Sequence, residues 1–110
     1  MRIQINTSSN IKGREKVAAY VRGVVDAGLS RFSGQVTQVE VYLSDENGHK
    51  GGQDDKRCMM EARLAGRQPT AVAHEAATLD QAIDGAIDRL KRSLESALER
   101  QRDHRRASKG

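Results

Sequence analysis

The sequence contains few of the residues that would point to specific chemistry. Of its 110 residues one is cysteine, two are tyrosine, one is phenylalanine and none is tryptophan. The single Cys58 cannot form a disulfide within the chain and suits a reducing compartment. Three aromatic side chains are too few for a surface on which nucleic-acid bases stack. The sequence therefore argues against a disulfide scaffold and against recognition by base stacking.

Long hydrophobic runs are also missing. No apolar stretch approaches the roughly 18 residues that a membrane span needs, and the start, residues 1–6, is not followed by the apolar core of a signal peptide. We expect a cytoplasmic protein with no membrane partner. The length suits one domain over residues 1–110, with a basic tail at 101–110 that we expect to fray.

Hydrophobic periodicity predicts six elements of secondary structure. Alternating apolar residues predict strands over residues 2–7, 36–44, 56–65 and 70–75, and helical spacing predicts helices over 14–32 and 78–106. In the second strand Thr37, Val39 and Val41 are predicted to face inward. Thr78 and Gln81 form a capping-box pattern at the start of the last helix.

This order, β-α-β-β-β-α, predicts an α+β fold with a four-stranded mixed sheet. The first two strands are joined through a helix and should be parallel, whereas strands two to four should form an antiparallel meander. Each strand has one apolar face, so both helices should cover one face of the sheet. The other face should be polar and wet.

Positive charge is concentrated at the end of the chain. Residues 89–110 hold eight Lys or Arg and three acids, whereas residues 1–88 hold eleven basic and twelve acidic residues. The net charge of +4 therefore comes from the last helix and its tail. Such an asymmetry favours a polyanionic partner.

One flank of the last helix carries the predicted contacts. With Leu90 at the centre of the buried stripe, steps of 100° place Arg89, Arg92, Ser96 and Arg100 together. Cations beside a small hydroxyl form a track for phosphates. A solvated face is the alternative, since cations also favour a helix C-terminus, and the residues alone leave the two interpretations about even. The remaining candidates are Lys91 and the projecting Arg102, Arg105 and Arg106 on this helix, with Lys16 and Arg22 on the first helix.

No pattern indicates catalysis or a bound metal. The loop at residues 45–55 lacks the spacing of a calcium loop and of a phosphate-binding loop. Cys58, His49, His74 and His104 lack the close pairs of a zinc site, and Cys58 is interpreted as a core residue. We expect no cofactor, no metal and no enzymatic activity.

Several stretches resemble the ribosome hibernation-promoting factor / ribosome-associated inhibitor A family, whose relatives are also called sigma-54 modulation proteins. They are Ile3-Gln4-Ile5-Asn6, Arg31-Phe32 with Val36-Thr37-Gln38-Val39-Glu40-Val41, and Thr78-Leu79-Asp80-Gln81-Ala82-Ile83-Asp84 leading to Arg89-Leu90-Lys91-Arg92. The resemblance covers nearly the whole chain and implies a fold related to the double-stranded RNA-binding domain. It also implies a protein that binds the small ribosomal subunit in the mRNA and tRNA channel and silences translation under stress. Because the sequence ends after the last helix, we expect the short form of the family.

The resemblance favours ribosomal RNA as the partner of the cations named above, and no DNA partner is expected. The acidic loop and the nearly neutral first 88 residues leave open a protein–protein adaptor or stress regulator on the same scaffold, without ribosome binding. The oligomeric state is also undetermined, since an open edge on the fourth strand could pair between chains.

Overall fold

The computed structural model describes residues 1–9, 11–45 and 56–109, and within 100–109 it describes the backbone without the side chains. The elements are β1 (Arg2–Thr7), α1 (Arg14–Gly28), a 3-10 turn (Ser30–Phe32), β2 (Val36–Asp45), β3 (Lys56–Leu64), β4 (Thr70–Ala76) and α2 (Leu79–Lys109).

The strands form one mixed sheet in the order β1-β2-β3-β4. β1 runs parallel to β2, with Ile3 opposite Val39 and Ile5 opposite Val41. β2 and β3, and β3 and β4, are antiparallel. α1 makes the crossover that two parallel neighbours require. The predicted α+β fold is confirmed.

A single core lies between the sheet and the two helices. The sheet contributes Val39, Val41 and Met60, which are fully buried, and Val21, Val25, Ile83, Leu90 and Leu94 cover them from α1 and α2. Burying a side chain of this size stabilises the fold by about 1.5–3 kcal/mol. Because Leu90 faces the sheet as predicted, the two flanks of α2 are fixed in space.

The predicted helix over 14–32 is wrong at its end. α1 stops at Gly28, the Leu29 N–H donates to the Val25 carbonyl at 2.9 Å, and the Phe32 N–H then donates to Leu29 in the tighter 3-10 turn. A Cβ on Gly28 would lie 2.9 Å from Cγ1 of Ile87. The glycine thus lets the end of α1 approach α2, and the apolar spacing of Leu29 and Phe32 suits the turn equally well.

β2 corrects a second prediction. Thr37 is exposed, although its spacing from Val39 predicted that it faces inward. The register with β3 shifts between Val36 and Gln38, so Val36 takes the core position instead. The Thr37 hydroxyl donates to the Arg63 carbonyl at 3.2 Å.

α2 begins at a side-chain cap and continues past the sheet. The Gln81 N–H donates to Thr78 Oγ1 at 3.1 Å, as the capping pattern predicts. The 31 residues of the helix extend for about 46 Å, against about 23 Å for the seven residues of β4. The C-terminal turns of α2 therefore project beyond β4.

Candidate nucleic-acid interface

The predicted flank of α2 runs beside β4, which is an edge strand of the sheet. Arg89, Arg92 and Ser96 are all exposed there, and the half-buried Ser93 joins them. Arg100, Arg102, Arg105 and Arg106 belong to α2, but their side chains lie outside the described residues. We call Arg89, Arg92, Ser93 and Ser96 the basic flank.

Two neighbouring depressions lie between the basic flank and β4. One is lined by Pro69, Thr70, Arg92, Ser93, Ser96 and Ala97. The other is lined by Ala71, Val72, Arg89, Arg92 and Ser93. Because Arg92 and Ser93 border both depressions, the two form one continuous groove with these residues at its middle.

The two arginines of the groove have different contacts. Arg89 Nη1 donates to the Ala73 carbonyl of β4 at 3.2 Å. Arg92 Nη2 instead lies 2.6 Å from Asp88 Oδ2, one turn earlier on α2. Such an exposed pair contributes only about 0.5 kcal/mol, so another anion can replace Asp88 at little cost.

The hairpin between β3 and β4 adds a cation that is not among the contacts predicted from the sequence. Gly66 has φ of 70°, and the turn it permits is followed by Arg67. Arg67 Nη1 donates to the Ala97 carbonyl of α2 at 3.0 Å. Ala97 lines the groove at the end where Pro69 and Thr70 lie. The helical pattern could not reveal Arg67, because its place depends on the hairpin.

Three predicted contacts that the structure does describe, Lys91, Lys16 and Arg22, do not line the groove. Lys91 is half-buried, and its Cδ lies 3.7 Å from the place of a Cβ on Gly28, which puts its stem between the helices. Lys16 and Arg22 are exposed on α1. Arg22 is two residues, or about 200°, from Tyr20, whose side chain contacts α2. Arg22 therefore lies on the flank of α1 that is turned away from α2.

Acidic residues occupy the opposite flank of α2 and contact the first helix and its turn. The Tyr20 hydroxyl donates to Asp84 Oδ1 at 2.7 Å, and this hydrogen bond is the main cause that raises the pKa of Tyr20 to about 12. Arg31 pairs with Glu95 and lies over the ring of Phe32. α2 is thus polarised, with its basic flank beside β4 and an acidic flank beside α1.

The candidates for catalysis and metal binding are a buried cysteine, a half-buried histidine and residues outside the described part of the chain. Cys58 is fully buried, as predicted, and desolvation raises its pKa to about 12, so it is a thiol at neutral pH. His74 lies on β4 beneath Gly85. His49, the side chain of His104 and loop residues 46–55 lie outside the described residues. In residues 1–9, 11–45 and 56–99 no three His, Cys, Asp or Glu side chains cluster as a metal site.

Over the part of the chain that the structure describes, no helix is both long enough and apolar enough to cross a membrane.

Known proteins resemble the chain in sequence and in fold. The family model described as Sigma 54 modulation protein / S30EA ribosomal protein matches residues 3–102. The N-terminal domain of Protein Y from Thermus thermophilus is 27% identical with a TM-score of 0.68, over 87% of this chain and 98% of that one. A ribosomal subunit interface protein from Coxiella burnetii has a TM-score of 0.66 at 13% identity, over 90% and 99% of the two chains, and supports the fold alone. No curated protein sequence matches significantly. Since the family model spans nearly the whole sequence, the chain belongs to the sigma 54 modulation protein / S30EA ribosomal protein family, which confirms the family predicted from its motifs.

Proposed function

We propose that this protein binds the small ribosomal subunit through ribosomal RNA in the mRNA and tRNA channel and, without catalysing a reaction, silences translation under stress. The chain belongs to a family whose description includes a ribosomal protein, and this membership supports the ribosome as the partner. The observation that best supports binding to RNA phosphates is the groove along β4, which has Arg92 and Ser93 at its middle.

The groove has the chemistry of a phosphate site. The Arg92 guanidinium is planar and can donate two parallel hydrogen bonds to a phosphate. The hydroxyls of Ser93 and Ser96 add neutral donors on the same flank. Groups of this kind position a protein on a nucleic-acid backbone without reading bases, which agrees with the scarcity of aromatic side chains.

The C-terminal part of α2 would lengthen this track. Arg100 follows Ser96 by four residues, so it continues the same row along the helix. Arg102, Arg105 and Arg106 then add cations on the turns beyond the sheet. The groove beside the sheet and the basic end of α2 together form a long surface. Such a surface suits a structured RNA long enough to contact both parts.

The remaining cations favour a partner that encloses the helices. Lys91 lies between α1 and α2, Lys16 lies on α1, and Arg22 lies on the far flank of α1. A flat surface cannot contact these positions and the groove at once. A channel can, and for this reason the distribution of cations supports binding inside the subunit.

The identity of the partner is tested by co-sedimentation of the purified protein with separated ribosomal subunits at low salt. We expect the protein to pellet with small subunits and to stay in solution with large subunits alone. Failure to pellet with small subunits contradicts the proposal. Recovery of a stoichiometric protein partner after nuclease treatment, with no pelleting, favours the adaptor instead.

A further inference from the structure

The edge of the sheet at β4 is a surface on which another strand can pair. Among the described residues β4 pairs only with β3, and every second one of its seven residues, Thr70–Ala76, directs its backbone N–H and C=O away from the sheet. Open edges of this length tend to pair with other chains unless charged residues or proline obstruct them. Pro69 precedes the strand and the exposed Glu75 lies near its end.

The middle of this edge is occupied by Arg89. Its Nη1 donates to the carbonyl of Ala73, which is the fourth of the seven residues of β4. Arg89 starts from α2, so its side chain has to cross the edge to reach that carbonyl. A strand that paired with β4 would have to displace the guanidinium from the Ala73 carbonyl. The positive charge would then remain close to the new backbone hydrogen bonds.

A second copy of β4 fits the same edge well. An antiparallel pair with its two-fold axis at Ala73 sets Ala71 opposite Glu75 and Val72 opposite His74 of the other copy, so no like charges of the two β4 strands face each other. The backbones could then join two four-stranded sheets into one. The two Arg89 side chains would meet at the axis, each beside its own Ala73.

We propose that Arg89 closes the edge of β4 against a second copy of this chain. This role is separate from ribosome binding, since it operates in the free protein. It gives Arg89 a structural task that Arg92, which pairs with Asp88 one turn earlier on α2, does not share.

Sedimentation velocity of the RNA-free protein over a concentration series tests the proposal. Arg89→Met keeps most of the aliphatic stem and removes the donors, and Arg92→Met is the matched control because it removes the same charge from the same flank. We expect Arg89→Met to shift from 12.1 kDa toward twice that mass. Arg92→Met should sediment as the wild type does.

A second substitution identifies the surface. Ala71 is exposed and would face Glu75 of the other copy, so Ala71→Glu creates a like-charge pair on each side of the axis. Added to Arg89→Met, it should restore wild-type sedimentation, with circular dichroism confirming that each variant is folded. The proposal is overturned if Arg89→Met sediments as Arg92→Met does, or if its dimer persists with Ala71→Glu. Wild-type association that Ala71→Glu abolishes overturns it too, since the edge would then be open already.

Discussion

The hydroxyl of Tyr20 on α1 donates a 2.7 Å hydrogen bond to Oδ1 of Asp84 on α2. This contact joins the outer parts of the two helices, whereas Val21 and Val25 face the core. The hydrogen bond stabilises the protonated phenol, with smaller contributions from desolvation and from the charges of Asp84 and Asp80. The acidic flank of α2 therefore helps to hold α1 in place.

The contact predicts an unusual tyrosine titration. Since the chain has two tyrosines, Tyr42→Phe leaves Tyr20 as the only phenol, and its ultraviolet absorbance should report a pKa of about 12. Asp84→Asn in the same background should move the pKa toward the ordinary value of 10.0. An unchanged pKa in that double variant contradicts the contact.

The same pKa predicts how stability depends on pH. The folded form binds the Tyr20 proton more tightly than the unfolded chain does, and this difference adds to the free energy of unfolding. The added stability is complete below pH 10 and is lost as the pH rises to about 12. In the Tyr42→Phe background, adding Tyr20→Phe should flatten the decline of the unfolding midpoint in urea over that interval. An equally steep decline would contradict the assignment.

Gly85 is predicted to resist replacement by alanine. Gly→Ala inside a helix normally stabilises by about 1 kcal/mol, but a Cβ on Gly85 would overlap the imidazole ring of His74. Gly23 in α1 is the matched control, because no atom lies within 4 Å of a Cβ there. We expect Gly23→Ala to raise the unfolding midpoint and Gly85→Ala to lower it.

A double-variant cycle identifies the cause. Replacing His74 by Ala removes the ring, so Gly85→Ala should lower the free energy of unfolding less in that background than in the wild type. Equal costs in both backgrounds would show that the ring is not what opposes the new methyl group.

Cys58 should be unreactive until the protein unfolds. Its side chain is fully buried in the core, and burial raises its pKa to about 12, so thiolate is scarce at pH 8. We expect a thiol reagent to label the native protein very slowly and the urea-unfolded protein at once. Rapid native labelling would place Cys58 at the surface.

Periodic features of the sequence predicted the fold well. The strands around Val39, Val41 and Met60 have a period of two, and α2 has a helical stripe centred on Leu90, so each pattern indicates both an element and its buried face. The prediction for Thr37 was wrong because the alternation of apolar residues does not reveal a register shift of one residue. The predicted end of α1 was wrong because the apolar spacing of Leu29 suits a 3-10 turn as well as a helix.

The candidate site was predicted only in part. Steps of 100° from Leu90 placed Arg89, Arg92 and Ser96 on one flank, and the structure has them there. The bonds of Arg67 to Ala97 and of Arg89 to Ala73 connect residues that are 30 and 16 positions apart. Contacts of this kind depend on the packing of one element against another and have no local signature in the sequence.

The most direct test of the account is a salt series of co-sedimentation with small ribosomal subunits for the wild type, Arg92→Glu and Arg63→Glu. Arg63 is the matched control, since it is exposed on the sheet face opposite the helices and undergoes the same charge reversal. If about four phosphates are neutralised, the logarithm of affinity should fall with the logarithm of salt with a slope between about −3 and −4. Arg92→Glu should weaken binding at every salt concentration and reduce the slope by about one, whereas Arg63→Glu should match the wild type. Binding that does not vary with salt, or equal losses for the two variants, would contradict a phosphate-binding groove at Arg92.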